Sequence, residues 1–309
     1  MDDSGPVEAP APVAAPTERP LWLKVWQFPL VAMVVAVALV IGAVWLTGQV
    51  TENLIQPNVP DPLGLILAVG LLVALLLLVY KLAIRRLGTT RHDDLPLDGR
   101  ALRDVALGVL GGAALISTCV GLAALAGVYR IESVGGFSDW ARIIFITGVY
   151  AGFFEELLMR GILLRWVEEV AGSWIALAIS ALVFGFLHST NDNATFFSSL
   201  AIAIEAGILL GGAYMFTRSL WLAVGLHAGW NVVQAVWDVP VSGYDLDGAV
   251  NATLEGPSLL AGGGFGLEAT IFALVVATSA GVWMLWRTVK LGRIVPPMWR
   301  RKGAAITVY

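Results

Sequence analysis

The chain has 309 residues, 58% of them hydrophobic and 14% charged, with a formal net charge of -4 and a mean hydropathy of +0.79. A soluble domain of this size has no use for such an excess of apolar residues. Its basic residues fall in loops between apolar runs and form no continuous stripe for a phosphate backbone, which argues against nucleic acid as a partner.

Residues 1–20 are rich in Pro and Ala, too poor in large apolar side chains to offset chain entropy, and are expected to form a disordered tail. No short apolar core of a cleaved signal peptide precedes the first long run, which begins near Trp26. Apolar runs then recur at about 26–50, 62–84, 104–129, 140–166, 173–190, 196–216, 219–237 and 267–289. Each meets or approaches the roughly 20 residues a helix needs to cross the hydrocarbon. None shows the alternation of a lipid-facing barrel strand, and lipid tolerates no unpaired backbone, so the spans are helical. The expected fold is an all-α polytopic bundle of about eight transmembrane helices over residues 21–292, followed by a basic tail at 293–309.

Loop charges set the expected orientation. Arg85, Arg86, Arg91, Arg100 and Arg103 follow the second run, Arg160 and Arg165 the fourth, and Arg218 the sixth; Arg287, Lys290, Arg293, Arg300, Arg301 and Lys302 end the chain. The intervening loops carry Glu52, Asp61, Asp238, Asp245, Asp247 and Glu255, with only Arg130 and Arg142 beside the third. Cytoplasmic loops retain Lys and Arg, so both termini are expected in the cytoplasm. The acidic, Gly-rich stretch 238–266 reads as a flexible exterior loop.

Ionisable groups inside spans are costly and point to function. Glu155, Glu156 and Arg160 lie in the fourth run, His188 ends the fifth, and His227 and Asn231 lie in the seventh. Glu156 and Arg160 are four apart, the acid first, which favours a helical ion pair; Glu155 is turned about 100° away. His227 and Asn231 share one stripe, with Gly225 and Gly229 leaving space beside them. From the assigned cytoplasmic ends, Glu155, His188 and His227 lie at depths of roughly 20, 22 and 14 Å, near enough to meet at mid-bilayer. Such a group suits amide hydrolysis: Glu155, alone or sharing a proton with His188, as general base on a water, with His227 and Asn231 donating to the oxyanion. Glu155, His188 and His227 also make a two-His, one-carboxylate set that could hold a divalent metal such as zinc, although neither H-E-x-x-H nor a cysteine pair is present.

Three segments, E-E-L-L-M-R at 155–160, F-G-F-L-H at 184–188 and H-A-G-W-N at 227–231, follow in order on successive helices. Over about 140–237 the chain thus resembles the CAAX-protease and bacteriocin-processing (CPBP, or Abi) family of intramembrane endopeptidases, which includes the Ras-converting CAAX endoproteases. The resemblance implies that Glu155 and His188 activate water, that His227 and Asn231 stabilise the oxyanion, and that Glu156 with Arg160 is mostly structural. It implies as substrate a membrane-associated peptide or protein, of which a prenylated CAAX protein is one kind, and a bacterial plasma membrane as the location. The family is commonly labelled metalloprotease, and a metal-free glutamate mechanism is argued for it.

Blander readings stand beside these. His227 and Asn231 could be interhelical hydrogen-bonding glue, and His188 an interfacial residue. Glu205 has no place in the motifs and lies beside a Gly207 and Gly211 pair suited to close helix contact. Cys119 reads as an inert buried thiol, and Trp22, Trp26, Trp140, Trp237 and Trp286 as interface anchors. Two other function classes use the same residues: an ion-coupled transporter, and a non-catalytic scaffold or bacteriocin-immunity protein.

Overall fold

The computed structural model describes residues 20–90 and 92–301. The expected tail at 1–19, Arg91, and the end of the basic tail from Lys302 lie outside the described residues. A short helix α1 (Leu21–Trp26) leads into α2 (Pro29–Val50, continued by a π turn Thr51–Ile55), α3 (Leu63–Leu82) and α4 (Gly99–Leu125). A continuous rod, α5, covers 142–171 in four pieces: π-helical Arg142–Tyr150, α-helical Ala151–Glu156, π-helical Leu157–Leu164 and α-helical Arg165–Ala171. Then come α6 (Ser173–Leu187), α7 (Phe196–Thr217), α8 (Trp221–Val236) and α9 (Ile271–Lys290).

Helices α2, α3, α4, α6, α7 and α9 are long and apolar enough to cross a membrane. The other two expected spans, α5 and α8, fall short for a reason tied to the motifs. The rod α5 carries Glu155, Glu156, Arg160, Arg165, Glu168 and Glu169, and α8 has only 16 residues. The fold is the all-α membrane bundle expected, with one addition. Residues 129–134 pair antiparallel with 250–254, with a bulge between Ile131 and Ser133. The stretch read as a flexible loop therefore contains a strand, because its Val250, Ala252 and Leu254 find partners in Val134, Ile131 and Tyr129.

Local chemistry places the ends. Asp98 caps α4 through the Arg100 amide, Thr195 and Ser198 form a capping box on α7, and Thr270 caps α9 through the Ala273 amide. Arg218 ends α7 in the left-handed region at φ 56°, which makes the tight turn into α8.

The two ends of the bundle differ. At one end Asp94 is fully buried and accepts from Tyr80 (3.0 Å), Tyr214 (2.7 Å) and Arg165 (2.9 Å). Beside it Arg218 holds Glu168 at 2.6 Å and donates to the Arg293 carbonyl, and His92 meets the Arg218 carbonyl at 2.7 Å. The following segment docks there too, Ser173 and Val295 exchanging hydrogen bonds of 3.0 and 2.8 Å. Arg160 and Arg165, counted above as loop cations, are buried in α5 instead, because each meets a carboxylate. At the other end lie strands β1 (Tyr129–Val134) and β2 (Val250–Leu254) and the acidic loop, fastened by Ser138 to Asp247 and by Asn191 to the Ser242 carbonyl.

Helix α8 is fixed mainly by α4. A Cβ on Gly108 would stand 2.7 Å from the Gly225 Cα, and a Cβ on Gly229 would enter the Val109 backbone. Gly225 and Gly229 therefore leave no empty space beside His227; α4 fills it. Gly207 and Gly211 likewise admit Ala181 and Leu177 of α6 against α7. Cys119 is buried within the α4 core among Ile116 and Val120. Gly229→Leu should destabilise the protein by about 1–3 kcal/mol, read from unfolding in detergent, whereas Gly121→Leu, with open space around it, should leave the midpoint unchanged. Equal midpoints for the two variants would show that the α4–α8 seam does not hold α8.

Candidate active site

The predicted residues arrive from three helices. Glu155 and Glu156 lie on the α-helical piece of α5 between its two π stretches, and Arg160 follows within the second stretch. His188 comes in the turn that ends α6, and His227 and Asn231 come one turn apart on α8. Glu155, His188, His227 and Asn231 all line one cavity of about 530 Å³, whose walls also include Tyr150, Phe154, Leu158, Met159 and Phe184.

Glu156 and Arg160 are both fully buried and bonded at 2.8 Å, and Arg160 also donates to the Ala206 carbonyl at 3.2 Å, tying α5 to α7. The same Glu156 oxygen lies 3.0 Å from His227 Nδ1. A carboxylate only accepts, so Nδ1 carries a proton and Nε2 turns towards Glu155, whose Oε2 is 3.9 Å away. That separation is too long for a hydrogen bond. Glu155 Oε2 is buried and has no hydrogen-bond partner in the protein, although the side chain as a whole keeps 29% of its exposure.

His188 Nδ1 stands 2.8 Å from the Phe184 carbonyl, which fixes the proton there and leaves Nε2 for the cavity. The Phe184 ring packs edge-on against both imidazoles, at 4.8 Å from His188 and 5.9 Å from His227, and carries the Arg160 guanidinium 4.6 Å over its face. The aromatic residue of F-G-F-L-H is thus the spacer between both histidines and the buried cation. Asn231 donates to the Thr147 carbonyl at 3.0 Å, which orients its amide towards the cavity wall.

Among the described residues no three His, Cys, Asp or Glu side chains converge to hold an ion. Both imidazoles are held through Nδ1, by Glu156 and by the Phe184 carbonyl, which leaves each Nε2 free, and Nε2 of His227 stays 3.9 Å from Glu155.

A second group lies behind His227, in which Glu205 finds its place and Glu268 is a residue that the sequence reading did not single out. Glu205 and Glu268, both buried, line a small cavity of about 30 Å³ together with His188, His227, Asn231 and Ser242. Glu268 accepts from the Ser242 amide at 2.6 Å and hydroxyl at 3.1 Å. It lies just before α9, and an acid at the head of an apolar run was the available signal. Burial pushes its carboxyl up to about 7, against the opposing pull of the Ser242 hydrogen bonds.

The comparison with known proteins falls on this same stretch. Residues 137–233 match the family model described as type II CAAX prenyl endopeptidase Rce1-like. Over these residues the chain is similar to the Rce1-like family. The motif resemblance and the family match therefore agree, and the coarse class that follows is a peptide hydrolase of the membrane. No curated protein and no solved structure matches the chain. The Rce1-like stretch ends within α8, so it takes in all three motifs while α2, α3, α4 and α9 supply the surrounding bundle.

Between about pH 4.5 and about 7 the folded chain keeps a proton on Glu268 that the unfolded chain has released, so this group makes stability fall as pH rises across that window. Glu268→Gln should flatten that part of the pH dependence, measured as thermal midpoints in detergent at about pH 5 and about pH 8. An unchanged slope would show that Glu268 does not titrate there.

Proposed function

We propose that the protein is an intramembrane endopeptidase that hydrolyses a peptide bond of a membrane-associated peptide or protein, using a glutamate-activated water. The observation that carries this reading is Glu155 Oε2, buried without a partner on the wall of a cavity of about 530 Å³ that His188, His227 and Asn231 also line. A buried carboxylate oxygen left without a donor is costly. A water bound between Glu155 and the free Nε2 of His188 satisfies it and becomes the nucleophile.

In the step proposed, the water oxygen bonds to the peptide carbonyl carbon as its proton passes to Glu155 or His188. The carbonyl π electrons move onto oxygen, and the C–N bond then breaks as the same proton reaches the leaving nitrogen. Asn231 and His227 face the developing oxyanion. His227 does this through Nε2–H in its doubly protonated form, in which one imidazolium and Arg160 balance Glu155 and Glu156 charge for charge. Glu156 is then more than a structural ion pair, because its bond to Nδ1 sets which nitrogen of His227 faces the cavity. Phe154, Leu158 and Met159 keep the site apolar, which strengthens each of these interactions.

Glu155→Ala, His188→Ala and His227→Ala should each lower cleavage of membrane peptides by about 100-fold or more, while yield and detergent unfolding stay near those of the parent protein. The measurement is a comparison of membrane peptide products from cells carrying the parent or variant protein. Equal product from all of them would refute the hydrolase.

A further inference from the structure

Helices α5 and α8 run antiparallel through the site, and their close approaches set a scale along it. A Cβ on Gly148 would meet Val232 at 2.5 Å, and one on Gly152 would meet the Ala228 amide at 3.2 Å. Asn231 is held at the start of this scale by its bond to the Thr147 carbonyl, whereas His227 lies beside Glu155 and Glu156. Thr147 precedes Glu155 by about two turns of α5, roughly 12 Å of helix. An oxyanion accepts only from donors about 3 Å away. Asn231 spends one of its two N–H groups on Thr147 and has one left for that purpose.

Tyr150 occupies the wall between Asn231 and Glu155. It follows Thr147 by three residues and lines the cavity of about 530 Å³ together with Glu155, His188, His227 and Asn231. Its ring stacks on Phe154, the centroids 5.3 Å apart and the planes 10° from parallel, which restrains the phenol. Glu155 lies within electrostatic reach of it. Among the described residues the hydroxyl of this half-buried side chain makes no hydrogen bond. A phenol set in an apolar wall takes a partner where one is offered, and the partner on offer is whatever fills the cavity.

We infer that Tyr150 is a third donor to the substrate, its hydroxyl hydrogen-bonding the carbonyl oxygen of the peptide bond under attack. The inference rests on the hydrolase reading. The O–H donates without giving up its proton: as the water oxygen bonds to the carbonyl carbon, the π electrons settle on an oxygen shared by Tyr150, Asn231 and His227. The proton of the water still passes through Glu155 or His188 to the leaving nitrogen, so no step is added.

Tyr150→Phe keeps the ring on Phe154 and removes only the hydroxyl. Product from membrane peptides should fall about 100-fold, with the unfolding midpoint in detergent unchanged. Parent-level product from Tyr150→Phe, while Glu155→Ala yields none, overturns the inference and leaves the hydrolase standing. Product persisting in Glu155→Ala refutes the hydrolase, and the role of Tyr150 falls with it. A second readout needs no cleavage. The fluorine resonance of a fluorotyrosine introduced at Tyr150 should shift when Glu155→Gln or Asn231→Ala is added, because the hydroxyl faces the space between them. A resonance unmoved by either substitution places the hydroxyl away from the site and also overturns the inference.

Discussion

A buried guanidinium organises this protein. Arg160 has no exposed surface, and each group it touches belongs to the candidate site or holds it in place: Glu156 on its own helix, the Ala206 carbonyl on α7 and the Phe184 ring on α6. A lone charge in a bilayer interior is so costly that the chain must bring these partners together for Arg160 to be tolerated at all. Once they meet, Glu156 is fixed where it can also take the Nδ1 proton of His227, which brings in α8. Four helices are thus joined through one cation, with no loop connecting the contacts. The arrangement gives conformational specificity at a cost in desolvation, which is the trade expected of a buried ion pair.

The rest of the bundle reads as support for that centre. Helix α4 presses its glycines against those of α8, which fixes the height and rotation of His227 and Asn231. Helices α6 and α7 make a similarly close contact through Gly207 and Gly211, which fixes Phe184 relative to Arg160. Backbone contact of this kind suits a membrane, where burying apolar surface drives little association and close packing must supply the attraction. Neither glycine pair lines the cavity of about 530 Å³.

Much of this was legible in the order of residues. Hydropathy alone marks six of the eight expected spans, because length and apolarity are the bilayer's own requirements. The spacing of Glu156 and Arg160 foretold their pairing, and the motifs brought Glu155, His188, His227 and Asn231 to one cavity. What could not be read was set by contacts remote in sequence. The pairing of 129–134 with 250–254 needs a partner about 120 residues away, and neither strand alone has a strong pattern. The bond from Glu156 to His227 spans two helices, so Glu156 looked merely structural from its neighbour Arg160. Arg160 and Arg165 were placed in a loop because a charge count does not register the carboxylates that bury them.

Helix α8 is short. Sixteen residues rise about 24 Å, against roughly 30 Å of hydrocarbon, and Asn231 stands only about 8 Å along the axis from the last turn. Lipid tails cannot follow such a helix to full thickness at its own end, and Gln234 and Asp238 lie close to where it stops. A molecule of solvent therefore has a brief journey from the headgroup layer to the amide and imidazole that await it. Truncating one helix brings the shoreline inward, and a polar cavity stays within reach of water in a body otherwise dissolved in oil.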